Sequence, residues 1–327
     1  MTGLYLAPME ELTGYVFRNA IARHFGYIDK YFTPFISPDN RITKTHSRNE
    51  LLPENNEELD VIPQLLTNDA DLFNEAASLI AGLGYKEINI NFGCPSNTVT
   101  AKFKGSGILR APELMDRFLD GVFNGKGRVF TDYPELRISV KTRVGYNDTS
   151  DLNAVIDILD RYPFCEIIIH PRLKKDLYNG SVRMDMFDLA CKRLSADIVY
   201  NGDVASPADF GTLTDRYKDN ITAVMIGRGA IKNPGIFRQI RTGQVMTKAE
   251  LADFLNDLYE TYKEGYGAQN AISKMKEVLS YTTLFIKDEK DRSRIFKTII
   301  KSKTEAQYKD AVAVAMTGLA ANCRQIS

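Results

Sequence analysis

The 327-residue sequence lacks several things, and each absence removes a class of protein. No run approaches the roughly 20 uninterrupted apolar residues that a membrane-spanning helix needs, so no membrane role is expected. The opening MTGLYLAPM passes straight into a strand pattern, without the basic start and cleavage site of a secretory signal. Cysteine is sparse. Cys94, Cys165, Cys191 and Cys323 form no Cys-x-x-Cys pair and have no histidine-rich spacing, which argues against a structural metal site and for a reducing cytoplasm. Charge excess is absent too, with 42 basic against 42 acidic residues, so any nucleic-acid contact must come from a local patch. Low-complexity segments are missing. So is a Gly-rich phosphate turn after the first strand, where Ala7-Pro8-Met9-Glu10 stands instead, and this disfavours an open doubly wound sheet.

What is present is alternation. Eight short apolar or β-branched runs occur at Leu4–Ala7, Lys30–Phe35, Val61–Leu65, Glu87–Asn91, Arg137–Lys141, Glu166–His170, Asp197–Tyr200 and Ala223–Ile226. Helical patterning separates most of them, at Thr13–His24, Asn68–Leu83, Pro112–Phe123, Ser150–Tyr162, Met184–Leu194, Pro207–Tyr217 and Pro234–Arg241. The polar segment Pro38–Asn56 is expected to be a long loop with little helix. Strands alternating with helices imply a parallel sheet, and eight such units imply an α/β fold closed into a (β/α)8 TIM barrel over residues 1–241. From 242 to 327 the strand candidates stop. Lys248–Tyr266, Asn270–Phe285, Asp291–Ile300 and Thr304–Ala321 read as helices of a small C-terminal helical domain.

A barrel does its chemistry at the C-terminal strand tips. Those tips carry Pro8-Met9, Gln64, Asn91 with Cys94, Lys141 with Arg143, His170 with Arg172, Asn201-Gly202-Asp203, and Gly227-Arg228. The set is difficult to explain as packing. Its centre is Ile88–Gly107, where a buried strand breaks at Phe92-Gly93 and presents Cys94 before Pro95. Gly93 permits a sharp turn and Pro95 fixes the exit direction. A thiol there is either a small packed hydrophobe or a reagent, and a loop cysteine has no core to fill. Lys141 and Arg143, two apart on one strand, share a face. A barrel-interior lysine is either a Schiff-base nucleophile or the partner of an anionic ligand. The glycine-bearing tips of the seventh and eighth strands suit a phosphate, with Arg228 adding a charge-assisted contact, although ordinary tight turns would look the same. His24 and His46 lie outside the tips and read as structural or solvated.

Asn91-Phe92-Gly93-Cys94-Pro95-Ser96, followed by Val99 and Gly105-Ser106-Gly107-Ile108-Leu109, resembles the signature of the tRNA-dihydrouridine synthases. The resemblance extends over nearly all of the chain. It includes Ala7-Pro8-Met9, Gln64, Lys141–Arg143, His170, Tyr178-x-Gly180, Asn201-Gly202-Asp203 and Met225–Gly229. It departs from the family at Pro171 to Asp176, at Asn233-Pro234-Gly235 and at Glu10-Glu11. The resemblance implies reduction of uridine in tRNA, with bound FMN, NADPH or NADH as electron donor, and a monomer in the cytoplasm. It places Pro8, Met9, Gln64, Asn91, Lys141, His170, Asn201, Gly202, Asp203, Gly227 and Arg228 around the flavin, with Lys141 beside its N1–O2 edge. Cys94 then protonates C5 of uracil while hydride arrives at C6. An ordinary thiol, with a pKa near 8.5, is protonated at neutral pH and able to donate. A nucleophilic thiolate is the alternative, since Lys141, Arg143 and His170 are all able to depress that pKa.

RNA contacts are expected from Arg143, Lys102, Lys104 and Arg172 on the barrel top, and from a patch that includes Arg292 and Arg294. Between Lys287 and Lys309 eight basic residues face four acids, a local excess that suits a phosphate backbone and equally a solvated helix face. Three other readings compete: a flavin-dependent reductase of a small pyrimidine or enone, a Schiff-base aldolase-type barrel using Lys141, and an RNA-binding module without catalysis. The aldolase leaves Cys94 and the helical segment without roles.

Overall fold

The computed structural model describes residues 1–38, 45–56, 58–127, 129–282, 286 and 288–318, without the side chains of 45 and 46. Lys287, Cys323 and the ends of two expected helices, 283–285 and 319–321, therefore lie outside the described residues, as does the His46 side chain.

Nine parallel strands occur among the described residues: β1 (Gly3–Leu6), β2 (Lys30–Phe32), β3 (Val61–Ile62), β4 (Gln64–Leu65), β5 (Glu87–Phe92), β6 (Arg137–Arg143), β7 (Glu166–His170), β8 (Asp197–Asn201) and β9 (Ala223–Ile226). They pair in the order β3-β2-β1-β9-β8-β7-β6-β5-β4. The two ends of that order are halves of one run split at Pro63, so the sheet returns on itself as a TIM-like barrel. Pro63 has no N–H to give to a ladder, and neither has Pro34 on the neighbouring run. Pairing therefore lapses at both prolines. It resumes where Ile36 N–H donates to the Gln64 carbonyl at 2.8 Å and Leu66 N–H to the Ile36 carbonyl at 2.9 Å. The expected strand Lys30–Phe35 is accordingly shorter, and the expected strand Val61–Leu65 is two pieces. The 38–56 segment also holds more regular structure than expected, a helix at Thr45–Leu51 and a 3-10 turn at Pro53–Asn55.

The chain divides into two compact units. The first, Met1–Pro8, Lys30–Gly202 and Arg216–Met225, contains nearly all of the sheet. Its helices follow from their periodicity. Ala70–Gly82 buries Phe73, Ala76, Ala77 and Ile80, an i, i+3, i+4, i+7 stripe. Its N-cap Asp69 accepts the Leu72 N–H at 3.0 Å, a contact worth about 1 kcal/mol. The strand faces are less conventional. On β5, Ile88, Ile90 and Phe92 face outward, and Phe92 meets Phe118 of the helix Pro112–Phe123 with ring centroids 6.0 Å apart. Glu87, Asn89 and Asn91 alternate with them on the inner face, in register with Arg137, Ser139 and Lys141 of β6.

The second unit comprises Met9–Asp29, Asp203–Asp215 and Ile226–Ser327. Its longest helix, Lys248–Tyr266, opens on a capping box in which Thr247 and Glu250 exchange hydrogen bonds. Glu250 is held down to about 2, first by the Arg238 guanidinium, which pairs with both its oxygens at 2.7 and 3.0 Å. Leu251, Phe254, Leu255, Leu258, Tyr259 and Tyr262 form the buried stripe. Phe254 packs edge-on to Phe17 of the helix Tyr15–His24 at 5.8 Å. His24 from that helix bonds Asp257 at 2.9 Å, a structural role.

At the N-terminal end of the barrel, Lys30 Nζ donates to Glu87 Oε2 and to Glu166 Oε2, each at 2.9 Å, and Tyr5 OH donates to Glu166 Oε1 at 2.6 Å. Burial alone would lower the lysine pKa, but the two carboxylates outweigh it and raise the value. Lys30→Met removes the charge that both carboxylates share and leaves Glu87, 2% exposed, poorly compensated. A loss of roughly 3–5 kcal/mol is expected in denaturant melts, because one partner of a buried ion pair cannot be deleted cheaply. A loss below about 1 kcal/mol would class the network with surface pairs.

Candidate active site

The first unit gathers Gln64, Asn91, Cys94 and Lys141 at the tips of β4, β5 and β6. Asn91 Nδ2 donates to Gln64 Oε1 at 2.6 Å, and its Oδ1 accepts the N–H groups of Gly93 at 3.0 Å and Cys94 at 2.8 Å. Gln64 Nε2 donates in turn to Asn89 Oδ1 at 2.7 Å, and Asn89 Nδ2 to Ser139 Oγ at 2.9 Å. This amide chain crosses the inner wall of three strands. It is a direct consequence of the polar residues facing inward, since buried amides must find partners. The Cys94 carbonyl is held from the other side by Ser106, whose N–H and Oγ donate at 3.0 and 2.8 Å. Gly105 makes that approach possible: at φ +55° a Cβ would stand 2.9 Å from the Cys94 carbonyl oxygen.

Lys141 reaches the same place. A Cβ on Gly93 would lie 4.0 Å from its Nζ. The ammonium is deeply enclosed although the residue keeps some access to solvent. Burial first, and then the neighbouring Arg143, lower its pKa to about 7, against a smaller opposing pull from Cys94. Among the described residues no carboxylate is paired with it.

Arg143 has a definite employment. Its Nε donates to the Gly93 carbonyl at 2.9 Å and one terminal nitrogen donates to the Leu173 and Leu177 carbonyls, both at 2.9 Å. The guanidinium also lies 5.6 Å from the Tyr178 ring. It clamps the cysteine loop to the loop after β7, and burial, its largest influence, lowers its pKa. Next to it, Arg172 donates to the Gly180 carbonyl at 3.1 Å through Nε and stands 3.2 Å from His170 Nε2. Arg143 and Arg172, both 2% exposed, thus organise loops within this unit. Lys102 is exposed and Lys104 half-buried.

The remaining expected site residues are described separately. In the first unit, Pro8 follows β1, and Asn201 Nδ2 donates to the Met225 carbonyl at 2.8 Å at the end of β8. In the second, Met9 N–H donates to Thr13 Oγ1 at 2.7 Å, and Arg228 pairs with Asp203 at 2.8 Å. Gly227 precedes the short helix Arg228–Lys232. Arg292 and Arg294 lie on the helix Glu289–Lys301 and make intrahelical ion pairs with Glu289 at 3.9 Å and Asp291 at 2.8 Å. Sequence reading missed Ser106, Asn89 and Ser139. The last two were accessible through the two-residue alternation that links them to Asn91 and Lys141.

A family model described as dihydrouridine synthase matches residues 5–317. The probable tRNA-dihydrouridine synthase of Staphylococcus aureus strain COL is 25% identical over 313 residues, covering 92% of this chain and 89% of that protein. The tRNA-dihydrouridine synthase B of Shewanella oneidensis is 27% identical over 280 residues, covering 82% and 83%. Among solved structures, morphinone reductase superposes with a TM-score of 0.53 at 14% identity, over 75% of this chain and 86% of that one, a likeness of fold.

In the ligand-free protein, competitive acylation followed by mass spectrometry should show Lys141 becoming reactive with a midpoint near its pKa of about 7. Surface lysines should follow at roughly 10.4. A Lys141 midpoint among the surface lysines would mean that water reaches the ammonium far more freely than this geometry allows.

Proposed function

The chain belongs to the dihydrouridine synthase family, and from that premise we propose that it reduces the C5–C6 double bond of uridines in tRNA to dihydrouridine, with bound FMN and NAD(P)H as electron donor. The observation that carries this reading is the meeting of the Cys94 loop and the Lys141 ammonium at adjacent strand tips. The donor set fits a flavin. A buried cation with no carboxylate paired to it among the described residues suits the anionic edge of a reduced isoalloxazine, and the Gln64–Asn91 amides suit its polar ring atoms. Flavin, when bound, supplies hydride to C6 of the uracil.

The other half of the reaction falls to this chain. Cys94 is the proposed general acid, giving its proton to C5 from the opposite face. Asn91 sets the loop backbone at Gly93 and Cys94, and Ser106 fixes the Cys94 carbonyl, so the thiol is presented from a rigid turn. Arg143 holds the same turn through the Gly93 carbonyl. Lys141 supplies positive charge, and an anion beside it would draw its pKa upward. His170, and by resemblance Pro8, Met9, Asn201, Gly202, Asp203, Gly227 and Arg228, are proposed to complete the cofactor site, Arg228 at the phosphate. A lysine with a lowered pKa also suits Schiff-base chemistry, but that reading gives Cys94 no task.

The basic face of the helix Glu289–Lys301, with Lys290, Arg294, Lys297 and Lys301, is the proposed contact for the tRNA backbone, within the helical region from 242 onward. Among the described residues no helix is long and apolar enough to cross a membrane, compatible with action on cytoplasmic tRNA.

Nucleoside analysis of tRNA from cells with and without the protein is the direct test, and loss of dihydrouridine is expected on deletion. In stopped flow, Cys94→Ala should keep flavin and its reduction by NAD(P)H, while reoxidation by tRNA slows roughly 10²- to 10⁴-fold. A wild-type reoxidation rate would remove the acid assignment. Arg228→Ala should weaken FMN retention in gel filtration by about tenfold or more, the value of one charge-assisted contact. Full retention would move the phosphate elsewhere.

A further inference from the structure

Beside the cysteine loop, three barrel loops are joined by a ladder of alternating rings and cations. The Arg110 guanidinium lies 4.4 Å from the centroid of Phe103 and 4.6 Å from that of Tyr146, and Lys174 Nζ lies 5.2 Å from the same tyrosine ring. Lys174 is anchored at its far end by Asn97 Oδ1 at 2.7 Å. The ladder therefore runs from the loop after β5, which carries Phe103 and Arg110, through the loop after β6 to the loop after β7. At its outer end Phe103 is 39% exposed, although it is a large apolar residue with a cation on one side.

The backbone under that ring is also unusual. Phe103 has φ +55°, in the left-handed region that a bulky L-residue adopts only at a cost in strain. Glycine would take that conformation freely. The turn is fixed by Phe103 N–H donating to the Thr100 carbonyl at 3.1 Å and by Asn68 Nδ2 donating to the Lys102 carbonyl at 3.0 Å. Two residues on, Gly105 packs directly against Cys94. Between Cys94 and Arg110 the loop carries Lys102, Lys104 and Arg110 and no acidic residue. An exposed aromatic face, braced from behind by a guanidinium, set in a wholly basic loop and tied to the catalytic turn, fits one kind of occupant: a nucleobase with phosphates on either side.

We propose that Phe103 is a stacking platform for an unpaired nucleotide adjacent to the reacting uridine, with Arg110 and Tyr146 holding the ring in position. The inference rests on the RNA-reducing function proposed above and assigns to that site a residue that reads the neighbouring base by its π-face. Because every base has such a face, the platform fixes register along the strand more than it selects a base.

The test uses the flavin-loaded enzyme and an unmodified tRNA transcript. Phe103→Leu and Phe103→Gly should each weaken transcript binding and raise KM by on the order of tenfold, whereas Phe103→Tyr stays near wild type. Reduction of flavin by NAD(P)H should be unchanged in all three. The slope of log affinity against log salt should hold as well, since no charge is removed. Phe103→Gly separates platform from scaffold: it relieves the backbone, so its melting temperature should not fall even as RNA affinity does. If the glycine and leucine variants bind the transcript within twofold of wild type, or if affinity is lost only in step with melting temperature, the platform is overturned and the proposed function stands. A wild-type enzyme that neither binds nor reduces the transcript would overturn both.

Discussion

The Asn91 carboxamide is the contact on which the site depends. One end of it is committed to the barrel wall through Gln64, and the other accepts the two N–H groups at the turn into Cys94. A carboxamide has two donors and an acceptor, so a single side chain can refer a loop to a sheet in a way no apolar residue could. The same strand sets the lysine. Because Asn91 is in register with Lys141, any displacement of β5 against β6 would move thiol and ammonium relative to one another. The geometry at these strand tips is thus inherited from a hydrogen-bonded ladder, and the turn at Cys94, held at its N–H by Asn91 and at its carbonyl by Ser106, has little freedom to alter it.

Much of the frame was legible in the residues. Runs such as Ile167 to Ile169 and Ala223 to Ile226 have no plausible home but a buried parallel strand, and the helix stripes repeat at helical spacing. The prolines at 34 and 63 announced where the ladder would fail, yet the eight-strand reading passed over them. Face assignment was recoverable at Lys141 and Arg143, since a two-residue spacing fixes it. Their environments were not. What Arg143 bonds to is decided by carbonyls at Gly93, Leu173 and Leu177, far apart in sequence and carrying no compositional mark. A backbone carbonyl is the same in every residue, so side-chain pattern cannot reveal which ones converge.

The ring at Phe103 shows a second kind of illegibility. A phenylalanine between two lysines reads as a stray exposed apolar residue, and such residues are common. Only its positive φ and the guanidinium beside it mark it as special, and neither is written in local sequence. The second unit was easier, because a capping box, a hydrophobic stripe and a terminal glycine at Gly267 are local signals that act over a few residues.

The closure of the barrel sets a schedule for its synthesis. β1 lies between β2 and β9, and Gly3 N–H is bonded to the carbonyl of Thr222 at 2.8 Å. During translation the first strand leaves the ribosome and gains β2 promptly, but its other neighbour is encoded roughly 220 residues later, on the order of ten to forty seconds at ordinary elongation speeds. Throughout that interval one edge of the strand Leu4, Tyr5 and Leu6, all buried in the finished fold, awaits its neighbour. An exposed strand edge of this kind is where aggregation competes with folding, so the yield of folded protein is sensitive to this interval.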